Sequence, residues 1–220
     1  MVDAQRLAGE LGRGAYDARR AAALAGVPRS TLHYWARKDF YRPSVSPEPH
    51  VRLWSWLDLL ALRTIDWLRK TKGTGEPRRV SLRKIQEALN ALDREGIPRE
   101  RLHDFVVVSR AGDLFIMVGQ NLTMRADTGG QLAFGEILQP VKPYGRGPDL
   151  VEPRPRLRII PGKLHGEPHL LDTRIPSAAV YALVQDGYDL ADIQRIYPDA
   201  TREALTEAID LERSLNERAA

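Results

Sequence analysis

The fold of the N-terminal part is decided by the stretch from Asp17 to Lys38, which reads DARRAAALAGVPRSTLHYWARK. An Ala-rich run that follows Asp17 predicts a short helix, because alanine has a high helix propensity and aspartate caps helix starts. Gly26, Val27 and Pro28 then predict a tight turn, since Gly26 can adopt a positive φ and Pro28 can begin a helix. The stretch therefore predicts two short helices joined by a turn.

The second of these helices, from Arg29 to Lys38, has one apolar and one basic face. Leu32, Trp35 and Ala36 are spaced i, i+3, i+4 and are expected to face the core. The opposite face suits a reader of the DNA major groove, because arginine binds guanine edges while hydroxyl groups bind phosphates. We predict that this face binds double-stranded DNA through Arg29, Ser30, His33, Tyr34, Arg37 and Lys38.

The segment from Phe40 to His50 contains three prolines and has no helical period, and it is expected to form a wing over the DNA backbone. Arg42 and Arg52 flank this wing and are predicted to bind DNA. A long amphipathic helix is predicted over residues 54–70. A further helix is predicted over residues 81–93, with its leucines at helical spacing.

Residues 15–95 resemble the MerR-type DNA-binding domain. The residues that carry the resemblance are Tyr16, Ala21, Gly26, Val27, Thr31, Leu32, Tyr34, Trp35, Arg37, Asp58, Leu59, Leu62, Ile65, Leu68 and Arg69. The resemblance implies that Thr31, Tyr34 and Arg37 contact phosphates or bases. His33 stands where the family usually has arginine, and a neutral histidine is a weaker phosphate partner. The family's dimerising coiled coil and effector cysteines are missing here, so the resemblance implies DNA binding without metal or small-molecule sensing.

Charge is distributed unequally along the 220 residues. Residues 1–104 hold 20 Lys and Arg against 13 Asp and Glu, whereas residues 105–220 hold 13 against 16. A basic half joined to a slightly acidic half indicates that one binds a polyanion and the other binds something else. The chain has no cysteine, which excludes thiol nucleophiles and thiolate metal sites and fits a cytoplasmic protein. No apolar run approaches the roughly 18 residues of a membrane span, so no membrane partner is expected.

Three domains are predicted: 1–104, a winged helix-turn-helix; 105–155, a strand-rich segment with a Pro/Gly linker from Pro140 to Pro155; and 156–220, a helical domain. In the middle segment, apolar runs at 105–108 and 114–118 around a Gly/Asp turn predict a β-hairpin. The last segment begins with a strand-like run at 157–160. Helices are then predicted over 176–186, 189–197 and 201–218, with Pro176, Asp189 and Thr201 as start signals. The expected fold class is mainly α.

Residues 158–211 resemble a small domain of unknown function that recurs in bacterial antitoxins. The matching residues are Gly166, Pro168, Thr173, Arg174, Ile175, Pro176, Leu183, Gly187, Ile193, Tyr197, Pro198 and Ala208. The resemblance implies a homeodomain-like unit of three helices behind a short strand. Asp172 replaces the glycine that usually precedes Thr173, which predicts a different turn.

The two resemblances, in this order, make the chain similar to a VapB-type antitoxin of an enlarged kind. That family implies a PIN-domain ribonuclease toxin as partner, whose carboxylate cluster a guanidinium can occupy. The candidate toxin-binding residues are Arg174, Arg213 and Arg218. For Arg174, a purely structural role at the corner before the helix is the competing interpretation and is favoured.

Enzymatic interpretations find little support. His165 and His169 are four apart, but Pro161, Gly166 and Pro168 exclude a helix, so both histidines are expected in turns or at the surface and not as metal ligands. Gly129-Gly130-Gln131 is expected to be a hairpin turn. No hydrolase, P-loop or dinucleotide motif occurs, so we expect no enzyme and no cofactor.

The leading hypothesis is therefore a cytoplasmic antitoxin of a type II toxin-antitoxin system that also represses its own operon by binding operator DNA. The protein is expected to act as a homodimer or as a toxin-antitoxin hetero-oligomer. The alternatives are a stand-alone transcriptional regulator with no toxin partner and a protein-interaction module without DNA affinity.

Overall fold

The computed structural model describes residues 14–46, 52–70, 76–109, 111–118, 122–125, 138–140 and 147–219. For 118, 122–125, 138–140 and 219 it describes the backbone alone. Contacts within the chain form two compact units, Met1–Trp56 with Arg146–Ala220, and Leu57–Gly145. This division differs from the boundaries at 104/105 and 155/156, which follow composition and stay a prediction.

In the first unit, two helices form the predicted helix-turn-helix: α1 (Ala18–Ala25) and α2 (Arg29–Arg37). Asp17 caps α1, because its Oδ1 accepts a hydrogen bond from the Arg20 amide at 2.7 Å. Gly26 ends α1 with φ 71°, a left-handed conformation that favours glycine. The predicted helix, turn and second helix are confirmed.

The C-terminal part of this unit is the predicted strand followed by three helices. A hairpin pairs β5 (Leu157–Arg158) with β6 (His169–Leu170). The helices that follow are α6 (Ser177–Gln185), α7 (Leu190–Ile196) and α8 (Arg202–Ala219). Two start signals act as predicted: Asp189 caps α7 in a capping box with Asp192, and Thr201 Oγ1 accepts from the Ala204 amide at 3.2 Å. Pro176, predicted at the first helical position, is the N-cap of α6 instead.

The turn before α6 contains the residue on which one expectation rests. Asp172, which replaces the usual glycine, has φ 59°. Aspartate tolerates the left-handed region better than most residues, so it adopts the conformation that glycine favours. The substitution is thus compatible with a glycine-like backbone here, and the expected difference from the family's turn stays a prediction.

The second unit contains helices and a sheet. Most of α3 (Trp56–Arg69) belongs to it, together with α4 (Leu82–Arg94) and the short α5 (Leu102–Phe105). The strands are β1 (Val106–Ser109), β2 (Leu114–Val118), β3 (Leu122–Arg125) and β4 (Leu138–Pro140), in the order β3-β2-β1-β4 with antiparallel pairing.

The predicted hairpin is β1 with β2, in a register that places Val106 opposite Ile116. Its inner residues are buried, and this confirms the assignment from apolar runs. The sequence analysis did not predict β3 and β4. Gly129-Gly130-Gln131 and residues 141–146 of the predicted linker lie outside the described residues. The mainly α fold class with a small strand-rich middle segment is confirmed.

Candidate nucleic-acid interface

Helix α2 presents the two faces that its sequence predicts. Leu32 and Trp35 are at most 1% exposed and Ala36 is 7% exposed, so this side packs into the core. The other side is open to solvent, with Tyr34 48% exposed. The predicted DNA-binding residues that are exposed on or directly after α2 are Arg29, Ser30, Tyr34, Arg37 and Lys38, while Thr31 and His33 are half-buried. The structure therefore brings these residues onto one helix and one accessible surface.

The cations of this surface carry few counter-charges. Arg37 and Lys38 form no ion pair with any carboxylate of the described residues. Arg29 donates from Nε to Nε2 of His33 at 3.3 Å, one helical turn along. An arginine without a carboxylate partner retains its donors and its charge for an anionic ligand.

His33 lies among three arginines. Partial burial first, and then the charges of Arg29, Arg52 and Arg37, hold the pKa of His33 below its ordinary value. The lowered pKa favours the neutral form of His33, and its Nε2 is the acceptor for Arg29. This agrees with the expectation of a neutral side chain here, and it adds a contact to Arg29 that sequence reasoning missed.

The wing leaves the core after Tyr41, and the chain returns to the core at Trp54. The rings of Tyr41 and Trp54 stack with their centroids 6.1 Å apart. Ser46 and Leu53 form an antiparallel bridge, so the described ends of the wing run side by side. Residues 47–51 lie outside the described part of the chain. The described ends of the wing are thus held together.

The two predicted wing arginines differ in their surroundings. Arg52 is half-buried and lies close enough to His33 to affect its pKa. Arg42 is exposed, and its Nε lies 2.6 Å from Oδ1 of Asp39. Asp39 has φ 57°, and this turn after α2 brings its carboxylate to Arg42. Sequence reasoning missed Asp39, although its i, i+3 spacing to Arg42 is a usable signal.

The three candidate toxin-binding residues are exposed but do not form one cluster on a single element. Arg174 lies in the turn before α6, and it makes no hydrogen bond or ion pair with the described residues. Arg213 and Arg218 both lie on α8, but five residues correspond to about 140° around a helix. The favoured structural role of Arg174 therefore has no contact to support it.

The histidines of the C-terminal part correct another expectation. His165 is exposed in a turn, as predicted, with φ 55°. His169 was predicted to be a turn or surface residue, and this was wrong. It lies in β6, is 1% exposed, and its Nδ1 is 3.0 Å from the Glu167 carbonyl oxygen. Within the described residues, no group of three or more His, Asp or Glu could hold a metal ion.

Two stretches of the chain match known families. Residues 16–92 match the MerR HTH family regulatory protein, and residues 158–210 match the protein of unknown function DUF433. The chain carries a MerR-type helix-turn-helix and a DUF433 domain. These matches confirm the MerR-like part of the sequence prediction. Neither names a toxin, so the antitoxin assignment stays a prediction.

No curated protein matches the chain. Among solved structures, a crystal structure of Rv2018 from Mycobacterium tuberculosis is similar, with 15% sequence identity and a TM-score of 0.48. The similarity covers 88% of this chain and 96% of that one. Within the described residues, none of the helices combines the length and apolar character of a membrane span.

The DUF433 domain and the helix-turn-helix lie within one compact unit. Tyr16 is 1% exposed, and its hydroxyl donates to the Gly166 carbonyl oxygen at 2.8 Å. Burial first, and then the Glu167 carboxylate, raise the pKa of Tyr16 well above its ordinary value, so it remains a donor. A Cβ on Gly166 would lie 2.1 Å from the Tyr16 hydroxyl oxygen, so the close approach requires glycine. Sequence reasoning missed this contact, which joins residues 150 apart.

Proposed function

We propose that the protein is a non-enzymatic regulator that binds operator DNA through α2 and its wing. The observation that carries this proposal is the open basic face of α2, where Arg37 and Lys38 have no carboxylate partner among the described residues. A helix of this kind fits the major groove of B-DNA. The match to MerR regulators over residues 16–92 supports the same function.

In this proposal, each group on the α2 surface has a role. Arg29 and Arg37 offer forked donors to guanine edges or phosphates, while Ser30, Thr31 and Tyr34 offer hydroxyl groups to phosphates. Arg42 and Arg52 contact the backbone beside the wing. A dimer then binds an inverted repeat, since a symmetric protein binds a symmetric site.

Fluorescence anisotropy with a labelled duplex from the region upstream of the coding sequence tests DNA binding. Arg29→Ala and Arg37→Ala are each expected to weaken binding about tenfold and to reduce the magnitude of the salt slope by about 1. Arg83→Ala is the matched control, because it removes the same charge from an exposed arginine on α4 that pairs with Glu87. Equal affinity and slope in all three variants would refute docking through α2.

We further propose that the protein is a cytoplasmic antitoxin that represses its own operon, with the C-terminal half binding a PIN-domain ribonuclease toxin. The resemblance of residues 158–211 to a domain found in antitoxins supports this. Within residues 105–220, acidic residues slightly outnumber basic ones, which favours a partner other than DNA for this half. Arg174 is the candidate for the toxin's carboxylates, because it is exposed and has no partner among the described residues.

Co-expression with the neighbouring reading frame tests the antitoxin proposal. A small nuclease that co-purifies with the wild type, and is lost with Arg174→Glu but retained with Arg195→Glu, is the expected result. Arg195 is an exposed arginine on α7 that pairs with Asp192 and serves as a matched control. If the neighbouring frame encodes no nuclease, the second candidate holds: a stand-alone regulator, which the match to a family of unknown function equally permits.

A further inference from the structure

The last five residues of helix α1 in the helix-turn-helix are buried on every side. Five consecutive residues, from Ala21 to Ala25, are between 0 and 3% exposed. Successive helix residues point about 100° apart, so such a run requires neighbours all around the helix. Helix α2 packs on α1, and α8 of the C-terminal part packs on it as well. The first helix of the DNA-binding motif is therefore enclosed in part by the C-terminal part of the chain.

Arg20 connects α1 directly to two segments of the C-terminal part, and through Glu212 to a third. Its Nη1 donates to Oε2 of Glu212 at 2.7 Å, and its Nη2 donates to Oε1 of Glu212 at 2.8 Å. The same Nη2 lies 2.7 Å from Oε2 of Glu167. The hydroxyl of Ser177, at the start of α6, donates to Oε1 of Glu212. The bidentate pair between Arg20 and Glu212 fixes the orientation of the two side chains as well as their distance.

Because this ion-pair network is buried, its charges are costly to separate. The side chain of Glu212 is 4% exposed and that of Arg20 is 16% exposed. Burial alone would lower the pKa of Arg20, but Glu212 and Glu167 raise it above the ordinary value, so the guanidinium remains charged. Separating such a pair would leave a buried charge uncompensated. Helix α1 is thus held in one position against α8.

The position of α1 in turn determines that of α2. Only Gly26, Val27 and Pro28 separate the two helices. Val27 is 2% exposed, and its amide donates to the Ala22 carbonyl oxygen at 3.1 Å. A displacement of α1 would therefore move α2 with it.

We propose that the C-terminal part of the chain positions α2 for DNA through Arg20, with Glu212 as the positioning residue on α8. The proposal rests on the proposed DNA-binding function and assigns a role to the part that contains the DUF433 domain. Neither Arg20 nor Glu212 contacts DNA in it. The C-terminal part acts as a component of the DNA-binding unit and not as a separate module.

Two variants of α8 test the proposal. Glu212→Gln removes the negative charge that faces Arg20 while retaining side-chain size. Asp210→Asn removes the same charge from an exposed carboxylate that binds Arg154 within the C-terminal part. Both variants change the net charge equally, so long-range attraction to DNA changes equally. Circular dichroism establishes a temperature at which both full-length proteins are folded, and all measurements are made there.

The first readout is anisotropy with the labelled upstream duplex. Glu212→Gln is expected to bind about tenfold more weakly than Asp210→Asn, with a salt slope smaller in magnitude by about 1, because a displaced α2 reaches fewer phosphates. The second readout needs no DNA. Amide hydrogen exchange in residues 29–37 is expected to be about tenfold faster in Glu212→Gln than in Asp210→Asn.

The outcomes separate this inference from the proposed function. Where the wild type binds the duplex, equal affinity of the two variants overturns the positioning role, whatever the exchange rates. If the wild type binds neither the upstream duplex nor random DNA, the proposed DNA-binding function fails. Amide hydrogen exchange in residues 29–37 then decides whether α8 positions α2. Faster exchange in Glu212→Gln than in Asp210→Asn supports this positioning, and equal exchange overturns it.

Discussion

Arg20 on α1 and Arg37 on α2 are the same residue type on successive helices of one motif, and their surroundings are opposite. Arg20 is largely buried and contacts two carboxylates, Glu212 and Glu167. Arg37 is exposed and has no carboxylate partner among the described residues. The comparison shows that position decides what a cation does: on α1 its charge is used within the fold, whereas on α2 it is available to a polyanion.

The largest expected effect separates these two arginines by stability. Arg20→Ala should lower the free energy of unfolding by about 3–5 kcal/mol, because it leaves Glu212 buried without its counter-charge. Arg37→Ala should change it by less than about 0.5 kcal/mol, as for most surface substitutions. Urea denaturation followed by circular dichroism measures both. A loss below about 1 kcal/mol for Arg20→Ala would show that the network contributes little to the fold.

A neutral contact beside Arg20 shows how much of this effect comes from charge. Tyr16→Phe removes the buried hydroxyl that donates to the Gly166 carbonyl oxygen. We expect a loss of about 1–2 kcal/mol in the free energy of unfolding, since one buried acceptor is left unsatisfied. The same urea titration measures it. If Tyr16→Phe costs as much as Arg20→Ala, the burial of this region, and not its ion pairs, holds α1 in place.

The local parts of this comparison were predictable from the sequence, and the long-range parts were not. Asp17, Gly26 and the spacing of Leu32 and Trp35 act within a few residues, so they determined both helices and the outward face of α2. Arg20 and Glu212 are 192 residues apart, and nothing near either one indicates the other. The Ala-rich run of α1 did carry a signal, because small residues on all faces are typical of a helix enclosed by neighbours.

The missed strands have a similar explanation. β1 and β2 are consecutive apolar runs, whereas β4 pairs with β1 from about 30 residues further along and is only three residues long. Short strands take their pairing from the sheet more than from their own composition. In the candidate DNA-binding site, Asp39 was missed because its contact with Arg42 depends on a left-handed residue after α2, which helical periodicity does not predict.

A pH titration shows whether the arginines around His33 receive phosphates. Arg29, Arg52 and Arg37 lower the pKa of His33 in the free protein, after burial. Phosphates near these arginines would raise it again, so the complex would bind more protons than the free protein. DNA affinity should therefore rise as the pH falls from about 7.5 to about 5.5, by up to about tenfold if DNA raises the pKa of His33 by about 1. Anisotropy at constant salt measures this.

The free protein should show the opposite dependence, because a lowered pKa means that the unfolded state takes up the proton more readily. Its stability should fall slightly as the pH falls through about 6.5. His33→Gln is the control, since it retains a hydrogen-bonding side chain without titrating. A pH dependence of DNA binding that persists in His33→Gln would show that other groups are responsible and that His33 lies away from the phosphates.

The smallest expected effect concerns Arg42. Among the predicted DNA-binding arginines, it is the one that, like Arg20, has a carboxylate partner within the described residues. Arg42 pairs with Asp39, and both side chains are more than half exposed, at 59% and 67%. Asp39→Asn keeps a residue that tolerates φ 57° and removes the carboxylate. DNA affinity should rise by about twofold to fivefold, the equivalent of an exposed ion pair of ~0.4–1 kcal/mol. Anisotropy at about 50 and about 200 mM salt measures the rise, which should be larger at low salt because exposed charges are screened. An unchanged affinity, with Arg42→Ala also without effect, would place the wing away from the DNA backbone and confine the interface to α2.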